Sequence, residues 1–552
     1  METNNTKFVW GPPGTGKTSF LAKQVEACVG RCEVPLVCSL TRAAAREIAS
    51  RELPIGRDLV GTLHSHAFRA LGGGFEVAES KLADWNSTHA HLRLDQQNAV
   101  ATDDLDDALT DRTTATLPGD EAYQLMGLLR ARMVPTERWA HGVLAFAREW
   151  DTWKAECGLI DFTDMIEIAL KQHCYPASNP DVIIVDEAQD HSRLEMALVA
   201  AWGERASKGV ILAGDPYQAL YTWRGADPTM FRHDRIPADR RRILHRSYRV
   251  PRSVHRVAMD WVRHLSDYEP LEYEPRDEDG SVTRGAPIAD GAGLATGVER
   301  ALQDGHSVMV AATCAYMLQP VIAALRDRGV PFANPWRRKQ GRWNPLGPRK
   351  GTSLSERLAA FATVNPAHEW WSWEELQKGT SVLAASGTMQ RGAKARHKAQ
   401  TANEFVADLP MSAADVAGVF LPEALDEIRG LIADYHVNDE RAEMLAWWMG
   451  RVLPAHKSQA DYLVRIATAR GMEALEVEPT CYVGTVHSFK GAEADVVFLA
   501  PDLSPAGWRA WNNKLSGGHD DVLRTIYVGM TRARQRLVLL DPASHNAVHW
   551  MA

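Results

Sequence analysis

The chain contains 552 residues, of which 45% are hydrophobic and 24% are charged, with a formal net charge of −8. This length is too great for one hydrophobic core, and the composition is that of an ordinary globular protein, so we expect several domains. No apolar run reaches the roughly 18 residues of a membrane span, and no signal peptide is readable at the N-terminus. We therefore expect a cytoplasmic protein without a membrane partner.

Charge is unevenly distributed along the chain. The stretches 239–256, 336–350 and 391–398 are basic, whereas 103–107 and 267–280 are acidic. The net negative charge cannot by itself argue for nucleic-acid binding, but a basic groove on an acidic body is compatible with it. The seven cysteines are scattered and lack the paired spacing of a zinc site, so we expect reduced, buried thiols.

Short apolar runs, each followed by turn residues and a helical pattern, recur along the chain. They include "KFVW", "PLVCSL" and "VIIV" in the first half and "VMVAA", "VVFLA" and "LVLL" in the second. Unbroken apolar strands that alternate with amphipathic helices indicate parallel sheets covered on both faces, the α/β class. We expect two α/β domains, each with a mainly helical insertion. The predicted segments are 1–78 and 161–232 for the first domain, 79–160 for its insertion, 233–335 and 477–552 for the second domain, and 336–476 for its insertion.

The octapeptide "GPPGTGKT" (11–18) follows the first strand and precedes a helix, and it fits the pattern G-x-x-x-x-G-K-S/T. Its glycines let backbone N–H groups surround phosphates at a helix N-terminus. Lys17 would neutralise the β- and γ-phosphates of ATP, and the Thr18 hydroxyl would bind Mg²⁺. The predicted ATP-binding residues of this segment are Gly11, Pro12, Pro13, Gly14, Thr15, Gly16, Lys17, Thr18 and Ser19.

A carboxylate pair follows the strand "VIIV" in "DEAQD" (186–190). Asp186 is expected at the C-terminal edge of the sheet, where it can hold Mg²⁺, and Glu187 could orient or deprotonate the attacking water. Hydrolysis also needs positive charge at the transition state. Arg249 in "SYRVP" and Arg532 in "YVGMTRAR" are candidates, although composition alone favours a surface ion pair for each.

The stretch "GDPYQALYTWRG" (214–225) combines the turn of a phosphate site with aromatic residues. Taken alone, Trp223 is more typical of a core residue. Its neighbours Tyr221 and Arg224 would instead form a mixed aromatic and cationic surface. Every base has a π-face, so stacking on an exposed indole would bind DNA without sequence preference, at about 1–3 kcal/mol per base.

Eight segments occur in the motif order of the UvrD/Rep-like helicases of superfamily 1A, which the chain resembles. They are "GPPGTGKT", "TRAAARE", "GTLHS", "DEAQD", "GDPYQALYTWRGAD", "SYRVP", "GTVHSFKGAEADVVFL" and "YVGMTRAR". The segment "DFTDMIEIAL" (161–170) is also similar to the one before the Walker B strand in that family. The resemblance implies two RecA-like domains of the P-loop NTPase type, with ATP between them and single-stranded DNA across their top.

The resemblance also implies roles for single residues. Tyr248 would stack on adenine, and Arg249 and Arg532 would reach the γ-phosphate. Gln218 would sense that phosphate, so that Gln218 and Trp223 form two ends of one lever. The remaining residues matched to the ATP site are Gly491, near the phosphates, and Glu493, near the ribose. The residues expected to bind DNA are Thr41, Arg42, Thr62, His64, Tyr221, Trp223, Arg224, Thr485 and His487.

Several features depart from the family pattern. The P-loop begins at residue 11, which leaves no room for the family's adenine-reading glutamine, so we expect relaxed base selectivity. Leu40 replaces a common aromatic residue, which predicts a weaker DNA pocket. The chain ends soon after "YVGMTRAR", which leaves no room for a fused nuclease domain. The 336–476 insertion looks shorter than the family's mobile subdomain.

The 336–476 insertion is rich in tryptophan. A core role is the favoured interpretation, and the alternative is a basic, aromatic surface for duplex DNA. The residues concerned are Trp336, Trp343, Trp370, Trp371 and Trp373, with Arg337, Arg338, Lys339 and Arg342 beside the first two.

The sequence thus predicts an ATP- and Mg²⁺-dependent DNA helicase and translocase, with 3′→5′ polarity implied by the resemblance. The expected partners are single-stranded DNA, tailed duplex DNA and replication or repair proteins. The alternatives are a 5′→3′ helicase of the same superfamily, a DNA-stimulated ATPase that remodels protein–DNA complexes without unwinding, and a catalytically inactive scaffold.

Overall fold

The structure is a computed structural model that divides into two compact units. The first contains Met1–Gly285, Ala311–Met317 and Thr485–Ala552, and the second contains Ala286–Val310 and Leu318–Gly484. The domain boundaries predicted from the sequence stay a prediction. The described residues are 5–40, 53–95, 117–231, 236–337, 341–347, 352–364, 370–401, 404–438, 441–514 and 517–550.

The strands and helices are numbered in chain order. The strands are β1 (Thr6–Trp10), β2 (Pro35–Ser39), β3 (Val60–Thr62), β4 (Glu76–Val77), β5 (Leu159–Ile160), β6 (Val182–Val185), β7 (Val210–Gly214), β8 (Arg241–Ile243), β9 (Arg246–Pro251), β10 (Glu274–Arg276), β11 (Ser281–Gly285), β12 (Val308–Ala312), β13 (Cys481–Thr485), β14 (Ala494–Leu499) and β15 (Ala533–Leu540). The helices are α1 (Lys17–Gly30), α2 (Leu63–Ala70), α3 (Leu82–Thr88), α4 (Asp120–Ala131), α5 (His141–Cys157), α6 (Phe162–Lys171), α7 (Arg193–Arg205), α8 (Arg252–Val262), α9 (Gly291–Gln303), α10 (Gln319–Asp327), α11 (Leu354–Ala362), α12 (Trp373–Thr380), α13 (Ala393–Thr401), α14 (Glu404–Ala407), α15 (Ala413–Ala417), α16 (Pro422–Asn438), α17 (Ala442–Arg451), α18 (Lys457–Arg470), α19 (Pro505–Asn512) and α20 (Gly518–Met530).

A six-stranded parallel sheet in the first unit has the order β3-β2-β6-β7-β1-β8. Successive residues of its central strands enter two different core clusters. In β6, Ile183 and Val185 pack in one cluster, whereas Val182 and Ile184 pack in the other. Because both faces of the sheet are covered, each strand is apolar without a break. The predicted α/β class is confirmed.

The same unit contains a shorter parallel arrangement, β11-β15-β14, and a parallel pair formed by β9 and β10. Helix α8 is attached to α20, because the indole of Trp261 donates a 3.0 Å hydrogen bond to the Leu523 carbonyl. Helix α20 ends at Met530, two residues before Arg532. These elements therefore place Arg532 in the unit that contains the P-loop.

Helices α3, α4 and α5 form a separate aromatic core within the first unit. Trp85 lies at its centre, with ring centroids 5.1 Å from Trp150 and 5.4 Å from Trp153. A charge network connects α4 and α5 to α6. The buried Asp161 carboxylate accepts from Arg130 at 2.8 Å and from Lys154 at 2.7 Å. Removal of one partner from such a buried pair is strongly destabilising. This network therefore fixes the positions of α4 and α5 relative to the start of α6.

The second unit contains residues 308–310 of β12, residues 481–484 of the neighbouring strand β13, and helices α9 to α18. Trp343 and Trp371 are fully buried, and the Trp371 indole donates to the Phe361 carbonyl at 2.9 Å. This burial agrees with the core interpretation of these tryptophans. Trp370 is also buried, whereas Trp336, Arg337, Arg342 and Trp373 are half-buried, and Arg338 and Lys339 lie outside the described residues.

All seven cysteines are free thiols. Cys28, Cys38 and Cys481 are buried as expected, but the prediction of burial is wrong for Cys32 and Cys157, which are exposed. None of the described helices is long and apolar enough to cross a bilayer.

Candidate nucleotide and nucleic-acid site

The loop between β1 and α1 has the backbone of a phosphate cradle. Gly14 and Gly16 adopt left-handed conformations, with φ of 74° and 78°. A Cβ atom added to Gly11 would lie 2.0 Å from Cγ of Lys17, so a side chain at that position would displace the lysine. The glycines are needed because L-residues rarely adopt these conformations and because Lys17 approaches the backbone closely.

The loop is held by its own polar groups. The Lys17 ammonium donates to the Gly11 carbonyl at 2.7 Å, and the Thr15 hydroxyl donates to the Pro12 carbonyl at 2.8 Å. Thr18 is half-buried and Ser19 is exposed in the first turn of α1. The two hydrogen bonds from Lys17 and Thr15 hold the loop in the conformation of a phosphate cradle.

A later chain segment contacts the same loop. The Pro13 carbonyl accepts hydrogen bonds from the Ser247 hydroxyl at 2.9 Å and from the Tyr273 hydroxyl at 2.8 Å. The Tyr248 backbone N–H donates to the Gly14 carbonyl at 2.8 Å, whereas the Tyr248 ring is 74% exposed. The structure thus places an exposed aromatic ring directly beside the P-loop.

The carboxylate pair lies at the end of β6. Asp186 is buried, and its backbone N–H donates to the Cys38 carbonyl of the adjacent strand. Glu187 has a φ of 50°, a left-handed conformation that is uncommon for a residue other than glycine. Backbone strain of this kind is often found at functional sites.

The site's oxygen donors suit Mg²⁺. The Thr18 hydroxyl and the Asp186 carboxylate are hard ligands, and protein-bound Mg²⁺ usually takes one or two such groups together with water and substrate phosphates. The described residues contain no cluster of three His, Cys, Asp or Glu side chains that could hold a metal by itself. These donors therefore fit a cation that binds together with a nucleotide.

Lys490 is a site residue that the sequence reasoning missed. Its ammonium contacts the Asp190 carboxylate, lies 3.4 Å from the Glu187 carboxylate and donates to the backbone carbonyl of Gln218 at 3.3 Å. Burial lowers the pKa of Lys490 to about 8, although Glu187 acts in the opposite direction. The sequence did contain one indication of its role, because Lys490 lies within the motif "GTVHSFKGAEADVVFL", three residues after the predicted DNA contact His487.

The electrostatics of Glu187 favour its ionised form. Burial alone would raise the pKa, but the positive charges of Lys490 and Lys17 outweigh it and lower the pKa of Glu187 to about 2. Its carboxylate also accepts a 2.5 Å hydrogen bond from the side-chain amide of Gln189. Glu187 is therefore a carboxylate at neutral pH, as a proton acceptor must be.

Gln218 and Arg532 meet directly. The side-chain oxygen Oε1 of Gln218 accepts a hydrogen bond from the Arg532 guanidinium at 2.7 Å, and its side-chain nitrogen Nε2 donates to the Asp215 carboxylate at 2.7 Å. Burial, followed by repulsion from Arg249, lowers the pKa of Arg532 to about 9. Burial raises the pKa of Asp215 to about 6. Gln218, the predicted phosphate sensor, is thus hydrogen-bonded to Arg532, one of the two arginines predicted to reach the γ-phosphate.

Arg249, the other arginine predicted to reach the γ-phosphate, has a different partner. The Arg249 guanidinium donates to the Glu493 carboxylate at 2.6 Å, and Arg534 lies 3.3 Å from the same carboxylate. Gly491, two residues earlier, has a φ of 83°. The structure therefore brings Arg249 and Glu493 together, two residues that the sequence assigned to one site.

The predicted stacking residue Trp223 lies at the surface and is 37% exposed. Tyr221 differs from the prediction of a surface residue, because it is buried. Its ring centroid is 6.3 Å from that of Trp223 and 6.4 Å from that of His487, and the Lys490 ammonium lies 5.5 Å from it. Tyr221 therefore connects Trp223 to the interior rather than offering a face to solvent.

The other predicted DNA residues have mixed surroundings. Thr62 and Thr485 are buried, and each side-chain hydroxyl accepts a hydrogen bond from the backbone N–H of the residue three positions later. His64 and Arg224 are half-buried and lie 3.7 and 3.6 Å from the Glu195 carboxylate. The two remaining residues, Thr41 and Arg42, lie outside the described residues.

Comparison with known proteins gives two weak relatives. The chain is 22% identical over 259 residues to the "Putative ATP-dependent DNA helicase YjcD" of Bacillus subtilis (strain 168), a match that covers 41% of the chain and 32% of that protein. It is 28% identical over 99 residues to an ATP-dependent helicase/nuclease chain of Lactobacillus delbrueckii subsp. bulgaricus, which covers 16% of the chain and 8% of that protein. The matches thus span about a third of one relative and less than a tenth of the other.

Family models match both predicted halves of the chain. The model described as the UvrD/REP helicase N-terminal domain matches residues 1–236. The model described as the UvrD-like helicase C-terminal domain matches residues 480–540. These matches contain the P-loop, the "DEAQD" carboxylates, Gln218 and Arg532, and they confirm the resemblance. The chain belongs to the UvrD/REP-like helicase family.

Proposed function

We propose that the protein is an ATP- and Mg²⁺-dependent helicase that moves along single-stranded DNA in the cytoplasm and unwinds duplex DNA, with 3′→5′ polarity. One observation carries the proposal. Gln218, bonded to Arg532 at 2.7 Å, belongs to the same short segment as the exposed Trp223. A phosphate site and a base-stacking site therefore share one stretch of backbone.

The nucleotide would bind at the P-loop. The backbone N–H groups of residues 14–18 and the Lys17 ammonium would hold the phosphates, and Lys17 would give up its bond to Gly11. Thr18 and Asp186 would hold Mg²⁺, which supplies positive charge to the phosphates when bound. Glu187 would accept a proton from the attacking water, since its carboxylate is ionised at neutral pH.

Two guanidinium groups would stabilise the transition state. Arg532 and Arg249 are bonded to Gln218 and Glu493, and each would exchange part of these contacts for the γ-phosphate. Positive charge supplied in this way is worth roughly 10³–10⁵ in rate for related phosphoryl transfers. The exposed ring of Tyr248 would stack on the adenine.

The coupling to DNA would run through the segment 214–225. When Arg532 turns to the phosphate, Gln218 loses its 2.7 Å partner, and the backbone that carries Trp223 is released to move. Trp223 would then change its stacking on a base of the strand. Repeated cycles would advance the strand, and replication or repair proteins are the expected partners.

The first test is unwinding of duplexes with a 3′ or a 5′ single-stranded tail, in DNA and in RNA, with and without ATP. Separation of the 3′-tailed DNA alone supports the proposal, and Lys17→Ala should abolish it because the phosphate contact is lost. Separation of the 5′-tailed duplex alone would reverse the polarity. DNA-stimulated hydrolysis without strand separation would assign a remodelling ATPase instead, and no DNA-dependent activity would overturn the proposal.

The second test concerns Trp223. Trp223→Ala should leave ATPase activity without DNA unchanged and weaken single-stranded DNA binding by roughly fivefold to a hundredfold, as expected for loss of one stacked base. Fluorescence anisotropy with a labelled oligonucleotide measures the affinity. Phe75→Ala is the control, because Phe75 is an exposed aromatic residue in a different segment. Gln218→Ala should instead keep DNA binding and lose the DNA stimulation of ATPase activity. If the Trp223→Ala variant unwinds DNA as well as the wild type, the proposed coupling between Gln218 and Trp223 is wrong.

A further inference from the structure

The residues around Trp223 form a tight turn. The Arg224 N–H donates to the Tyr221 carbonyl at 2.9 Å, and the Gly225 N–H donates to the Thr222 carbonyl at 3.0 Å. The start of the turn is anchored, because the Tyr221 ring is buried. The direction of the Trp223 indole therefore depends on how the whole turn lies on the molecule.

One side of this turn rests against the end of helix α4. The Arg132 guanidinium, just after the last residue of α4, donates to the Thr222 carbonyl at 3.1 Å. Gly225 approaches the same helix end, because a Cβ atom added there would lie 2.8 Å from Cβ of Ala131. Two consecutive residues at the end of α4 thus contact the turn just before and just after Trp223.

The position of α4 is itself fixed. Arg130, two residues before Arg132, donates to the carboxylates of Asp161, Asp164 and Glu167 at 2.6 to 3.0 Å. A guanidinium with three carboxylate partners has a defined orientation. The end of α4 is therefore a firm support for the turn.

The bond from Arg132 adds to the turn without disturbing it. A carbonyl oxygen has two lone pairs, and the Thr222 carbonyl uses one for Gly225 inside the turn and one for Arg132 outside it. Arg132 is exposed at the surface, whereas its acceptor belongs to the backbone next to Trp223. The guanidinium can therefore affect the indole through the backbone alone.

The orientation of the turn matters for stacking. Trp223 is 37% exposed, and its ring lies at 59° to that of the buried Tyr221, with the two centroids 6.3 Å apart. The face that Trp223 offers to a base thus depends on the angle at which the turn is held. If only a fraction of molecules holds the competent orientation, the apparent dissociation constant rises in inverse proportion to that fraction.

We propose that Arg132 is a positioning residue for DNA binding, which holds the turn against α4 and so presents the Trp223 indole to a base. Its bond to the Thr222 carbonyl defines the orientation in which a base is held. In the proposed cycle, the release of Gln218 would move the turn away from that orientation. This inference rests on the proposed function and assigns to α4 a part in it.

The first test is Arg132→Ala. Its dissociation constant for a labelled single-stranded oligonucleotide should rise about threefold to tenfold, the effect of one lost hydrogen bond. ATPase activity without DNA and the thermal unfolding midpoint should stay at wild-type values. Arg132→Lys, which keeps a donor at this position, should restore most of the affinity.

The control for this test is Arg148→Ala, since Arg148 is an exposed arginine of α5. It removes the same charge from a different part of the surface and should leave the affinity unchanged. Equal weakening by Arg132→Ala and Arg148→Ala would assign the effect to overall charge and would overturn the inference.

A double-mutant cycle separates positioning from direct contact with DNA. In the Trp223→Ala background, Arg132→Ala should cause no further loss of affinity, because Arg132 acts through the indole. An arginine that binds a DNA phosphate itself would weaken binding equally in both backgrounds. It would also reduce the slope of log affinity against log salt by about 0.7. That result would overturn the inference, since Arg132 would then be a DNA contact.

The close approach of Gly225 to Ala131 provides a second variant. Gly225→Ala places a Cβ atom 2.8 Å from that of Ala131 and should push the turn away from α4. It should therefore weaken binding of single-stranded DNA, again without effect in the Trp223→Ala background. Gly305→Ala is the matched control. Both glycines have positive φ, 103° and 82°, but a Cβ atom at Gly305 would meet no described neighbour within 4 Å. Wild-type affinity in Gly225→Ala would contradict the role of α4.

The outcomes also separate this inference from the proposed function. If the wild type does not bind single-stranded DNA, or if Trp223→Ala binds it equally well, the proposed function fails at this site and takes the inference with it. If Trp223→Ala weakens binding and Arg132→Ala does not, only the inference fails. A fall in thermal midpoint that parallels the loss of affinity would assign Arg132 a purely structural role and would also overturn it.

Discussion

Two turns of the first unit have the same local structure and different surroundings. In the turn that starts at Thr62, the threonine hydroxyl accepts from the Ser65 N–H at 3.2 Å, and the Ser65 hydroxyl donates to the Thr62 carbonyl at 2.7 Å. In the turn that starts at Thr485, Ser488 makes the same two bonds at 3.2 and 2.7 Å. A Thr and a Ser three residues apart therefore fix the same turn after two different strands.

The histidines of the two turns differ. His64 lies 3.7 Å from the buried Glu195 carboxylate, beside His191 and Arg224, whereas His487 faces the ring of Tyr221. Burial lowers the pKa of His64 to about 4, although Glu195 acts in the opposite direction. The local sequence thus determines the backbone of each turn, and side chains distant in the sequence determine its chemistry.

The largest effect is expected from removal of Glu195, the group that distinguishes the first turn. Glu195→Ala leaves the half-buried guanidinium of Arg224 without the carboxylate 3.6 Å away and removes the oxygen that accepts from the Ser192 N–H at 2.7 Å. We expect a loss of about 3–5 kcal/mol in the free energy of unfolding, measured by urea denaturation. Glu195→Gln keeps the Ser192 bond and should lose less. A loss below about 1 kcal/mol for Glu195→Ala would show that the cluster does not stabilise the fold.

A smaller effect concerns pH. The pKa of His64 is about 4 in the folded chain, below its ordinary 6.5, so the unfolded chain binds the proton more readily between these values. Stability should therefore fall as pH decreases from 6.5 to 4, with a maximal slope of about 1.4 kcal/mol per pH unit from this group. His64→Asn should flatten the dependence of the urea midpoint on pH. An unchanged slope between pH 6.5 and 4.5 would contradict the assignment.

The smallest effects test the shared turn. Thr62→Ala and Thr485→Ala each remove an acceptor for one backbone N–H, which typically costs about 1 kcal/mol of stability at a helix N-cap. The two losses should be similar, and a slightly larger one is expected at Thr62, since α2 follows it directly. Thr→Ser at each position should restore stability in urea titrations. A loss of stability for only one of the two alanine variants would show that the two turns are not stabilised in the same way.

The features of the site that depend on short local motifs could be predicted from the sequence. The P-loop conformation follows from Gly14, Gly16 and the lysine after them, because a tight left-handed turn before a helix needs glycine. The position of Asp186 follows from the apolar strand before it, since a parallel strand presents its next residue at the C-terminal edge of the sheet. These inferences needed no knowledge of distant contacts.

Other features depend on residues far apart in the sequence. The burial of Tyr221 follows from its contacts with His487 and Lys490, which are more than 260 positions away. The contact between Gln218 and Arg532 spans 314 positions. Alternation and spacing report which face of an element is apolar, and they do not report which distant side chain fills the space against it.

The left-handed backbone at Glu187 has a consequence for protein engineering. A non-glycine residue at φ of 50° costs stability, of the order of 1–3 kcal/mol where the conformation is strained. Glycine would adopt the same angles without that cost, but it would remove the proton-accepting carboxylate. It would also leave the Lys490 ammonium without the carboxylate 3.4 Å away, so a stability gain from relieved strain is opposed by a lost ion pair, and a selection that requires ATP turnover would retain the glutamate. Thermostable variants of this chain should thus be chosen by activity as well as by melting temperature.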